Sequence, residues 1–112
     1  MNVIATTEVY DFLENLVVIL YEQGYFGLEE NARKYVNELY DDITETLPNR
    51  PKKKAPPYFD KYGEGMYYAA FRKNRRTTWY AFFRIYQKDD KMYCQVRHIA
   101  NNHTVAQYLQ QS

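Results

Sequence analysis

Hydrophobic spacing changes once along this chain of 112 residues, from helical steps to strand alternation, and all four prolines sit at the changeover. Val9, Phe12, Leu13, Leu16, Val17 and Leu20 recur at steps of three and four, which draws one apolar stripe on a helix. Ala32, Tyr35, Val36, Leu39, Tyr40, Ile43 and Leu47 draw a second. Thr6 or Thr7 offers an acceptor to the free amides where the first helix starts, and Glu8, Glu29 and Glu30 favour the positive ends of the two dipoles. Gly24 stops the first helix, because glycine takes the left-handed conformation without a Cβ clash. Residues 24–27 then connect two antiparallel helices, each roughly 25–30 Å long at about 1.5 Å per residue. Pro48 ends the second. Ahead of both, Val3 and Ile4 read as a short strand.

Pro48, Pro51, Pro56 and Pro57 interleave with Arg50, Lys52, Lys53 and Lys54, so residues 48–61 read as an extended basic loop. Alternation takes over after it. Strands are expected over Met66–Lys73, Thr78–Tyr86 and Met92–Ala100, joined by hairpin-length turns at residues 74–77 and 88–91. In the middle strand Trp79, Ala81, Phe83 and Ile85 point to one face, and Tyr80, Phe82, Arg84 and Tyr86 to the other. In the last, Met92, Cys94 and Val96 oppose Tyr93, Gln95 and Arg97. Thr104–Leu109 reads as a short turn or helical stub. The expected fold class is α+β, in the order β-α-α-β-β-β, with a two-helix hairpin packed on one face of a small antiparallel sheet. One domain spans 1–112: an acidic hairpin (1–47), the basic loop (48–61), and a basic sheet with its C-terminal stub (62–112).

The net charge of +1 conceals a division. Residues 1–47 carry ten acids and two bases, and residues 48–112 carry thirteen bases and four acids. A basic half beside an acidic half points to polyanions or to an acidic protein partner. Tyrosine contributes 13 of the residues, and its ring and hydroxyl together suit half-buried contact faces. One cysteine excludes an internal disulfide framework, and with two histidines it makes a conventional zinc site improbable. No apolar run approaches the ~18 residues of a membrane span, and no basic stretch leads into an apolar one at the start. A cytoplasmic protein without a metal or other cofactor is the expectation.

The sheet face opposite the helices places Tyr80, Arg84, Tyr93, Gln95 and Arg97 together, cations between aromatics, which fits phosphates and unpaired bases. The plainer reading of the same residues is a solvated face of an antiparallel meander. Lys52, Lys53 and Lys54 can add non-specific phosphate contacts or simply keep an exposed loop soluble. His98 and His103 flank the end of the last strand, and an imidazole can exchange protons near neutrality. Cys94 faces the apolar side and reads as inert packing.

The helical hairpin followed by YFDKYGEGMYYAAFRKNRRTTWYAFFRIY, with the closing VRHIANNHTVAQYL, resembles the toxin of a RelE/ParE-type toxin–antitoxin pair. That resemblance covers nearly the whole chain. It implies a toxin held inactive by a cognate antitoxin and acting in one of two ways: on the ribosome, where it cuts messenger RNA, or on DNA gyrase, which it poisons without cutting. A diverged relative without activity is the third option. The match of residues is partial: the C-terminal tyrosine of the nuclease group falls on Tyr108, an arginine position falls on Tyr80 with Arg84 nearby, and another falls near Asn102 beside His103. The resemblance is compatible with a histidine-using site, in which His103 acts as base or acid, Arg84 and Arg97 hold phosphate, and Tyr108 stacks on a base. The ribosome-dependent mRNA endoribonuclease is the first expectation and the gyrase poison the alternative.

Overall fold

The structure, a computed structural model, describes residues 1–110. The last two residues of the expected domain lie outside it. Two helices pack on one face of a five-stranded mixed sheet: β1 (Asn2–Ala5), α1 (Thr7–Glu22), α2 (Glu29–Thr46), β2 (Lys53–Lys54), β3 (Tyr67–Arg72), β4 (Thr78–Lys88), β5 (Lys91–Asn101) and α3 (Asn102–Leu109). The strand order is β1-β5-β4-β3-β2.

The apolar stripes form the main core. Val9, Leu13, Leu16 and Val17 of α1 and Ala32, Val36, Leu39 and Ile43 of α2 are buried against Ala69, Phe71, Trp79, Ala81, Phe83, Cys94, Val96 and Ile99 of the sheet. Trp79 adds a hydrogen bond from Nε1 to the Tyr35 hydroxyl at 2.9 Å, which satisfies its only polar atom where it crosses from sheet to helix. Arg50 fastens α2 to the sheet. Its guanidinium donates to Thr46 Oγ1, Asp42 Oδ1 and the Ala70 carbonyl at 2.8–3.0 Å and lies 4.1 Å from the centroid of the Phe71 ring.

Four expectations are corrected. The sheet is mixed, because β1 pairs parallel with β5, from Asn2 opposite Tyr93 to Ala5 opposite Val96. Thr6 is the N-cap residue of α1, but its side chain does not cap: the backbone N–H extends the β1 ladder to Val96 O (3.1 Å), and Oγ1 is buried without a partner. Residues 48–61 are not extended throughout. Leu47–Asn49 and Pro57–Tyr62 form 3₁₀ turns, each with a proline in its opening positions, where the missing N–H costs no hydrogen bond, and Lys53–Lys54 is a short edge strand on β3.

The fourth correction concerns the far face, which is half covered rather than open. Phe82 is fully buried there, in a second core with Phe59, Met66, Ala100 and Val105. The Pro57–Tyr62 turn and α3 supply its cover. A β-bulge between Phe82 and Phe83 makes this possible: Phe82 pairs with His98 and Phe83 with Val96, so Arg97 is the extra residue. The bulge shifts the alternation of β5, sending Ile99 to the helix side and turning His98 to the far face.

Candidate functional site

The Pro57–Tyr62 turn sets Tyr58 and Lys61 at positions i and i+3, which a 3₁₀ turn places on a common side, with Tyr62 next along the chain. That side meets the bulge of β5 and the end of α3. Tyr62 lies flat on the His98 ring, with centroids 3.8 Å apart and planes 6° from parallel, and the Phe82 ring is tilted against it at 5.6 Å. Tyr58 lies flat on Tyr108 at 3.7 Å and 2°. Between the two stacks, Lys61 Nζ sits 4.1 Å from the Tyr58 centroid and 5.4 Å from that of Tyr62. Arg97 locks the turn to the bulge: Nε donates to the Tyr62 carbonyl at 2.7 Å and Nη1 to Gln95 Oε1 at 3.1 Å. Gly63 permits this approach, since a Cβ there would stand 2.9 Å from Arg97 Nε.

The electrostatics follow from these contacts. Burial pulls the His98 imidazole down to a pKa of about 4, with the Lys61 charge acting in the same direction, so the ring is neutral at pH 7. The neighbouring Lys61 ammonium lowers the Tyr58 phenol below its ordinary value, and Tyr58 in return raises Lys61. A cleft of about 320 Å³ opens beside the cluster, where β1 gives way to α1 and leaves the edge of β5 bare; Thr6, Glu8, Lys61, Tyr62, Arg97 and His98 are among its lining residues. Two cations, a neutral imidazole and a phenol of lowered pKa form a set that can hold a phosphate and exchange a proton beside it.

The structure places the sequence-predicted residues in separate locations. Arg97 and Tyr108 belong to this cluster. Arg84 does not: it is exposed on the far face opposite Gln95, five residues along β4 from Trp79. His103 lies past Asn101, which pairs with Trp79, so the strand rise alone puts Arg84 about 17 Å from that level. His103 also lines a different cleft, of about 300 Å³, on the helix side with Leu16, Leu20, Phe26, Tyr35 and Trp79. The expected grouping of His103 with Arg84 and Arg97 is therefore corrected, because Arg84 lies toward one end of the β4–β5 pair and His103 past the other, on the helix side. His98 takes the place in the cluster that His103 was expected to hold.

Tyr80 packs edge-on against Tyr68 at 5.9 Å, and burial raises its phenol; both line a groove with Lys53 at the β3 edge. Tyr93 is stacked on Tyr86 well away from that groove. Lys52 is consumed by the fold, its Nζ donating to the Pro48 and Arg50 carbonyls at 2.8 and 3.2 Å, whereas Lys53 and Lys54 are exposed on β2.

Tyr58, Lys61 and Tyr62 are the cluster residues that sequence reasoning missed, and His98 was noted only as a companion of His103 at the strand end. Two signals for them exist in the chain: the i, i+3, i+4 spacing of Tyr58, Lys61 and Tyr62 directly after Pro57, and the step of three from Val96 to Ile99, which breaks alternation. Among the described residues, no group of three or more His, Cys, Asp or Glu gathers to hold a metal ion, and no helix is long and apolar enough to cross a membrane. No protein family, curated protein or solved structure matches the chain.

Proposed function

We propose that this chain is a toxin of the RelE/ParE kind that acts on RNA, cutting messengers on the ribosome, and that an antitoxin partner holds it inactive. The observation that carries the reading is the cluster in which Lys61 and Arg97 meet Tyr58, Tyr62, His98 and Tyr108, four of which (Lys61, Tyr62, Arg97 and His98) line the cleft beside it. The order β-α-α followed by an antiparallel meander and a closing helix, read from the hydrophobic spacing and one of the features on which the resemblance rests, is consistent with this reading.

In this reading, cleavage needs a group to take the proton of the attacking 2′-hydroxyl, a donor for the leaving 5′-oxygen, and cations on the phosphorane. The neutral His98 is suited to the first role. Tyr58, with its phenol lowered by Lys61, is suited to the second, and Lys61 and Arg97 to the third. Tyr108 supports Tyr58 by stacking. The gyrase-poison reading draws on one specific observation, the separation of Arg84 and His103 from each other and from Tyr108, which leaves the grouping implied by the resemblance unassembled.

Induced expression in a bacterial host separates the two. The nuclease reading expects growth arrest with shortened messengers, lost in Lys61→Ala and retained in His103→Ala. Arrest with intact messengers and trapped gyrase–DNA complexes would replace it with the poison, and the absence of arrest would remove both.

A further inference from the structure

The β4–β5 hairpin runs past its neighbours. Pairing with β3 ends at Phe83 opposite Tyr67, and pairing with β1 ends at Tyr93 opposite Asn2, so residues 84–92 form a two-stranded arm that is paired only within the hairpin. Asp89 and Asp90 close it with φ of 52° and 63°, the left-handed pair that a two-residue hairpin turn requires. Register and period two set three cross-strand pairs on one face: Arg84 with Gln95, Tyr86 with Tyr93, and Lys88 with Lys91. The two tyrosine rings stack at 5.4 Å and 19°. Arg84, Lys88 and Lys91 are exposed, and none is in an ion pair among the described residues.

This is the far face, so it leads directly to the site. Gln95 accepts from Arg97, and Arg97 holds the turn that carries Lys61. From Lys88 to the level of Phe82, six residues of strand make a track about 20 Å long. Cations alternating with aromatic rings along a groove are what a single polynucleotide strand engages, through phosphates and base faces. A duplex major groove also admits a β-ribbon, but here the two strands are joined by a turn that carries Asp89 and Asp90, whose carboxylates oppose the flanking phosphates of a duplex. The charge lies along the flat of the ribbon.

We propose that the flat face of this arm is a docking track for single-stranded RNA, with phosphates on Lys88, Lys91 and Arg84 and bases against the Tyr86–Tyr93 pair, which delivers the strand to Lys61 and Arg97. That the strand is RNA rests on the function proposed above; the track rests on the arm. The test is fluorescence anisotropy of a labelled 12-nucleotide oligouridylate against the full chain, across a series of salt concentrations. Neutralising two contacts in Lys88→Gln/Lys91→Gln lowers affinity about 25-fold at 0.1 M salt and flattens the log–log salt slope by about 1.4. Arg75→Gln/Arg76→Gln, at the opposite end of the sheet, leaves both unchanged. Equal affinity and slope in Lys88→Gln/Lys91→Gln, tighter binding of a duplex than of the single strand, or no binding by the wild type each overturns the track. A wild type that cuts translated messengers while Lys88→Gln/Lys91→Gln binds unchanged overturns the track alone. A wild type that binds through the arm but leaves those messengers intact keeps the track and removes the nuclease.

Discussion

Replacing His98 with phenylalanine tests the cluster through its pH dependence. The wild-type imidazole is held at about 4 in the folded chain, against about 6.5 for a free histidine. The folded pKa is the lower one, so the unfolded chain takes up the proton first as pH falls. Stability from this group is therefore fully present above about pH 6.5, declines between 6.5 and 4, and is level below 4. The full difference corresponds to about 3 kcal/mol by linkage. The ring is only half-buried, and solvent screening reduces the expected loss to about 1–2 kcal/mol. Phenylalanine keeps the stack on Tyr62 and the contact with Phe82 but cannot titrate. Urea unfolding at pH 7, 6, 5 and 4.5 measures both proteins. Carboxylates titrate equally in each, so the difference between the two profiles isolates His98. The wild type is expected to lose about 1–2 kcal/mol more than His98→Phe between pH 7 and 4.5. Parallel profiles would show that His98 is not held neutral between Tyr62, Phe82 and Lys61, and the assignment of a neutral imidazole to the site would fall.

Phe82→Ala is expected to cost about 3–5 kcal/mol in chemical denaturation, as for a large ring removed from a sealed core; a loss under 1 kcal/mol would mean that the far face is open after all. Gly63→Ala places a Cβ 2.9 Å from Arg97 Nε at a backbone φ of 150° and is expected to lose about 1–3 kcal/mol, with unchanged stability showing that the Arg97–Tyr62 lock is absent in solution. Arg50→Ala removes three hydrogen-bonding contacts and the packing on Phe71, for an expected loss of about 2 kcal/mol in the same assay, and a neutral result would remove Arg50 as the tie between α2 and β3.

The helices and the three long strands were legible because each has a periodic apolar set whose partner is another such set. Gly24, with φ of 79°, ends α1 region as its residue type demands. The parallel pairing of β1 was not legible: Val3 and Ile4 mark a strand but carry nothing that selects β5 or its direction. Phe82 was read as outward because alternation assigns a face without saying what covers it, and the cover came from a proline-rich segment whose local signals favoured extension. The bulge at Arg97 had a stronger consequence, since one extra residue reverses every later side chain of a strand. It brings His98 to the cluster, while His103, beyond the strand in α3, lines the cleft on the helix side. Arg97 and Tyr108, both singled out from the sequence, lie in the cluster, and the residues packed on them, Tyr58 and Tyr62, come from the 3₁₀ turn.

A cell-free translation reaction with purified protein and a reporter messenger, with RNA 5′ ends mapped in the presence and absence of ribosomes, addresses the proposed function most directly. The account predicts new ends only on translated messengers, lost in Lys61→Ala and unaffected in His103→Ala. Intact messengers with undiminished translation at saturating protein would contradict it.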